Sequence, residues 1–65
     1  MTASFRIIRP GESCTVVDTI ACSLVEAARR VLGMPGDYRL ESCFTGCQWP
    51  KEQLRIIVRG SYELR

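Results

Sequence analysis

The sequence predicts a two-layer α+β domain: a small, mostly antiparallel sheet of four strands with one helix packed on one face, in the order β-β-α-β-β. Three observations carry this expectation. Apolar and polar residues alternate in several short runs, one stretch repeats its apolar residues at helical spacing, and Pro/Gly pairs punctuate the chain between them. At 65 residues the chain is a single domain, 1–65, near the lower limit at which one core holds itself together. A hydrophobic content of 46% with 25% charged residues excludes disorder as the main state.

The first strand is Ser4 to Ile8, with Phe5 and Ile7 on one face and Arg6 on the other. Pro10 and Gly11 suit the centre of the tight turn that ends it. Residues 14–21 are rich in β-branched side chains and form the second strand. Its inward face is ambiguous, because Val16 and Ile20 share a side with Asp18 while Val17 shares one with Thr15 and Thr19. A competing reading starts a helix near Asp18.

Ser23 and Glu26 have the spacing of a capping box. The helix behind them places Leu24, Ala27, Ala28, Val31 and Leu32 in one apolar stripe, with Glu26, Arg29 and Arg30 pointing away. The two arginines also suit the negative end of the helix dipole. Gly33 is the natural stop, and Pro35 opposes resumption.

Residues 34–37 form a second turn. Residues 38–44 then alternate, with Tyr38, Leu40 and Phe44 inward and Arg39, Glu41 and Cys43 outward. Residues 45–51 read as a connection containing Gly46, Trp49 and Pro50. Residues 54–59 read as the last strand, with Leu54, Ile56 and Val58 facing one way and Arg55, Ile57 and Arg59 the other. Gly60 marks a bulge or turn, beyond which Tyr62 and Leu64 continue pairing. A helix of about ten residues is marginal alone in water, so its stripe must lie on the sheet. The opposite sheet face stays open and carries Arg6, Arg39, Glu41, Arg55, Ile57 and Arg59.

Chemistry-bearing residues are few. The chain has no histidine, which removes the usual Cys–His nucleophilic pair, and no enzymatic activity is expected. Cys14, Cys22, Cys43 and Cys47 are spaced C-x7-C-x20-C-x3-C. Only the second pair approaches a zinc knuckle, so the expectation is four free thiols, with no metal and no cofactor. No signal peptide is visible and no apolar run is long enough to span a bilayer, so a cytoplasmic protein with reduced thiols is expected.

The basic residues are distinctive in kind: eight are arginine, and Lys51 is the single lysine. Arginine's planar fork suits carboxylate and phosphate partners, although a GC-rich genome also enriches it. Arg6, Arg39, Arg55 and Arg59 should share the open face, where pooled cations would grip an acidic protein patch or a phosphate backbone. The plainer alternative is a solvated strand face with Glu41 as a cross-strand partner. Trp49 is either an interface anchor or a lid on the end of the core. An unpaired strand at residues 60–65 would let two copies join edge to edge as a homodimer.

The run IACSLVEAARR, from Ile20 to Arg30, is a strand leading into a serine-capped helix. Residues 14–32, with the hairpin pattern that follows, resemble small phage-encoded anti-CRISPR proteins, and one inhibitor of type I-F systems in particular. That resemblance implies an inhibitor that binds a CRISPR surveillance complex in the host cytoplasm and blocks target DNA. It carries no residue roles with it.

The expected function is therefore that of a non-enzymatic interaction protein that inhibits or modulates a protein or ribonucleoprotein complex. The alternative is a small nucleic-acid-binding regulator using the same arginines on phosphates. A net charge of only +2 weighs against it, since seven acidic residues dilute the basic field. A subunit that only dimerises is a third possibility. In the first two readings Arg39, Arg55 and Arg59 should matter more than Arg29 and Arg30.

Overall fold

The computed structural model describes residues 3–11 and 13–63. Its elements run β1 (Ala3–Arg9), β2 (Thr15–Cys22), α1 (Leu24–Leu32), β3 (Arg39–Ser42), β4 (Gln48–Pro50) and α2 (Lys51–Glu63). The four strands form one open antiparallel sheet in the order β2-β1-β3-β4. The α+β class and the four-stranded sheet are as expected from the sequence. The chain's last third is not.

Alternation in β1 buries Phe5 and Ile7 on the face covered by the helices. In β2 the register slips opposite Ile7 and Ile8: Ile7 faces Asp18, but Ile8 faces Val16, leaving Val17 as the extra residue. The slip explains why alternation in β2 gave no single inward face. Asp18, Ile20 and Cys22 point to the helix side, whereas Val16 joins Ile8 on the other. The helix from Asp18 does not form, since β2 continues to Cys22. Cys14 lies just before the strand.

Helix α1 begins where the serine cap puts it. Ser23 is extended at φ −72°, ψ 158°, and its Oγ accepts the Glu26 N–H at 3.3 Å. Ala27, Ala28 and Val31 are fully buried, and Leu24 and Leu32 flank them. The Gly33 and Met34 amides close the helix end on the carbonyls of Arg29 and Val31.

The major correction concerns residues 54–59, which are helical and not a strand. The apolar residues that meet the core are Leu54, Ile57 and Val58, at i, i+3 and i+4. Ile56, expected inside, is 68% exposed, while Ile57, expected outside, packs on the core. Gly60 continues the helix and makes no bulge. The fourth strand is instead Gln48–Pro50, within the segment read as a connection, and the domain has two helices where one was expected. Edge pairing through residues 60–65 therefore loses its strand: α2 runs to Glu63, and the Tyr62 side chain and Leu64 lie outside the described residues.

Both helices cover the same sheet face, joined through one cluster of Phe5, Ile7, Leu40, Ala27, Ala28, Val31 and Leu54. Lys51 Nζ donates to the Met34 carbonyl and ties the start of α2 to the loop after α1. Trp49 sits opposite Leu40 on this side. Its ring meets Phe5 edge-on, with centroids 6.2 Å apart and planes at 65°. Phe44, expected inward, is 80% exposed because β3 ends at Ser42 and the chain turns.

Candidate partner-binding surface

The sheet face away from the helices can be mapped row by row from the registers. One row runs Thr19, Arg6, Glu41, Gln48; the next runs Val16, Ile8, Arg39, Pro50. Ala21 and Ser4 begin a third, which Cys43 extends by donating its N–H to the Ser4 carbonyl at 3.1 Å.

The first row is electrostatically closed. Arg6 Nη1 donates to Glu41 Oε1 at 2.9 Å, and Gln48 Nε2 donates to Glu41 Oε2 at 3.0 Å. The Glu41 carboxyl is held below the usual carboxylate range, first by the Gln48 amide and then by Arg6. The same contact pushes the Arg6 guanidinium up, with the Cys43 thiol adding to it. Arg6 is thus committed within the sheet.

The second row is different. Ile8 is on the face without helices, yet it is only 2% exposed and stands outside the helix-side core cluster. Its register neighbours are Val16, which is 51% exposed, and Arg39, which is half-buried. Arg39 Nε is inaccessible to solvent and has no hydrogen-bond partner among the described residues. This row therefore sets the apolar Val16, Ile8 and Pro50 in line with an arginine whose Nε has no hydrogen-bond partner among the described residues.

The four-arginine array expected from the sequence is not assembled. Arg6 and Arg39 share the open face, but Arg55 and Arg59 are exposed on α2, in the layer on the other side of the sheet. Arg29 and Arg30 lie in that helical layer too, and Arg30 Nη2 pairs with Asp18 Oδ2 at 2.8 Å. Positive charge is divided between the two faces. Trp49 is also not on the open face; its half-buried ring closes the core beside Phe5, as the lid reading had it.

Sequence reasoning missed the apolar strip and the Phe44 tip. A signal for the strip was present: Ile8 follows Ile7 directly, which puts an isoleucine at an outward position. All four cysteines are free thiols, Cys14 and Cys47 exposed and Cys22 and Cys43 half-buried. Burial, reinforced by Glu26, pushes the Cys22 thiol up. Among the described residues no three ligating side chains converge and no pocket is formed. Among the described residues no helix is long and apolar enough to cross a membrane. Comparison with known protein families, curated protein sequences and solved structures finds no match.

Proposed function

We propose that this is a small interaction protein that binds a protein or ribonucleoprotein partner through the sheet face its helices leave open. The observation that carries this reading is Arg39: a half-buried arginine with an unsatisfied Nε, set beside Ile8 and the exposed Val16. An unanswered buried donor costs about 1–3 kcal/mol, and an acidic group from a partner would offset that cost by engaging the guanidinium. Arginine next to apolar surface is a common centre of protein interfaces. Inhibition of a host defence complex, which the resemblance to anti-CRISPR proteins implies, is the form of this function we favour.

The nucleic-acid reading draws its support from pooled cations. On the open face that pool is reduced to Arg39, because Arg6 is bound to Glu41 and Arg55 and Arg59 are on α2. Protein recognition, which needs one well-placed arginine and apolar surface, is better supported.

The test is a tagged capture from bacterial lysate with and without nuclease, using wild type, Arg39→Glu and Arg55→Glu. A nuclease-resistant complex lost in Arg39→Glu and kept in Arg55→Glu is expected. Capture that disappears with nuclease would move the function to nucleic acid.

A further inference from the structure

Ile8 is sealed although no helix lies above it. It belongs to the sheet face that the helices leave open, stands outside the helix-side core cluster, and is only 2% exposed. An outward residue of a sheet covered on one side normally meets water, so neighbouring side chains must cover it. Among the described neighbours on this face, Val16, its partner on β2, is short and itself exposed. Arg6, the next outward residue along β1, has its guanidinium drawn to Glu41. Arg39, its partner on β3, is the one long side chain in the row, and its Nε is inaccessible to solvent. An arginine laid flat on apolar surface buries its stem in this way and keeps its far end in water.

That arrangement restricts how a partner reaches the guanidinium. A carboxylate gripped side-on accepts from Nε and from an Nη together. Nε has no room beside it for a water oxygen, so it has none for a carboxylate oxygen either. The side chain must lift off the sheet before Nε can donate. Lifting it bares Ile8 and joins it to the exposed Val16. The lifted state offers a fork for a carboxylate and, one strand spacing away at about 4.8 Å, an apolar surface. A phosphate backbone matches the fork but leaves the apolar row in water, whereas a protein segment with an acidic and an apolar side chain matches both.

We infer that Arg39 is a lid on Ile8: it covers the isoleucine in the free protein and lifts to bind a partner's carboxylate side-on, uncovering Ile8 for an apolar side chain beside that carboxylate. This rests on the interaction reading above and adds the conformational step and the pair of partner groups that it selects.

The first arm of the test needs no partner. Isotope-labelled isoleucine methyls are broadened by a neutral gadolinium chelate, with the buried Ile7 and the exposed Ile56 as references and Ile8→Val identifying the Ile8 signal. Ile8 should be as protected as Ile7 in wild type and in Arg39→Met, which keeps an unbranched stem. In Arg39→Ala it should broaden towards the behaviour of Ile56, with circular dichroism confirming that both variants fold. An Ile8 methyl that stays protected in Arg39→Ala would overturn the lid and leave the interaction reading standing. The second arm measures affinity for the complex captured by wild type. Arg39→Met covers Ile8 and cannot hold a carboxylate, so it should bind about fivefold more weakly than Arg39→Ala, in which Ile8 is already bare. Equal losses in the two would mean that the partner meets the arginine end-on with the lid shut, which overturns the lifting step alone. Wild-type affinity in both, or capture that disappears with nuclease, would overturn the lid and the interaction reading together.

Discussion

Asp18 and Arg30 join the edge strand to the first helix: Arg30 Nη2 donates to Asp18 Oδ2 at 2.8 Å, while Asp18 Oδ1 accepts the Thr19 N–H at 2.8 Å. The second contact matters because of where Thr19 points. Ser4 directs its carbonyl at Cys43 on the β3 side, so Phe5 directs its backbone groups at β2 and is met by Ile20. Thr19, one residue on, therefore faces the free edge. Asp18 occupies a backbone donor that would otherwise be open to another strand, which is how natural sheets discourage edge pairing. Asp18→Ala should self-associate at concentrations where wild type does not, as read by light scattering behind size exclusion. Identical profiles would mean the carboxylate guards nothing.

The helical assignment of residues 51–63 separates two neighbouring isoleucines: Ile57 joins Leu54 on the core and Ile56 does not. Leu54 is fully buried, and Leu54→Ala should cost about 2–5 kcal/mol. Ile56 is in solvent, and Ile56→Ala should stay within about 0.5 kcal/mol of wild type. Urea midpoints measure both. Comparable losses at the two positions would favour the strand that alternation suggested.

Glu41 gives the fold a pH dependence of defined sign. Its carboxyl is held down by Gln48 and then Arg6, so the folded state binds its proton less readily than the unfolded chain. The stabilisation is complete above the ordinary glutamate range, at about pH 4.3, and is lost as pH falls through the lowered value. Stability should fall between neutral and acid pH, and Glu41→Gln should flatten part of that slope. An unchanged slope in Glu41→Gln would assign the acid sensitivity elsewhere.

Thiol labelling should follow burial. Cys14 and Cys47 are exposed, whereas Cys22 is half-buried with its thiol pushed up, which depletes the reactive thiolate. Peptide mapping after brief alkylation near neutral pH should find Cys14 and Cys47 modified first and Cys22 last. Early modification of Cys22 would place it in a more open site than the β2–α1 junction provides.

The sequence was legible where one physical signal acted alone. In β1 the alternation of Phe5, Arg6 and Ile7 has one reading, and in α1 the cap at Ser23 and the stripe to Leu32 agree. The run from Leu54 to Val58 was not, because Leu54, Ile56 and Val58 satisfy a strand while Leu54, Ile57 and Val58 satisfy a helix. Alternation alone carried the strand reading, although Pro50 just ahead of the helix and Glu52 in its first turn were start signals. Phe44 was misplaced by carrying alternation past Ser42, where Ser42 and Gly46 already marked a turn. The arginine site inherited the α2 error: moving one element to the other layer removed Arg55 and Arg59 from the open face.

The most direct measurement is the affinity of Arg39→Glu and Arg55→Glu for the partner complex, with Arg39→Gln as a neutral control and circular dichroism confirming the fold. A partner on the open face should make Arg39→Glu at least about tenfold weaker, Arg39→Gln intermediate, and Arg55→Glu indistinguishable from wild type. Wild-type affinity in Arg39→Glu, or an equal loss in Arg55→Glu, would contradict binding through the open face of the sheet.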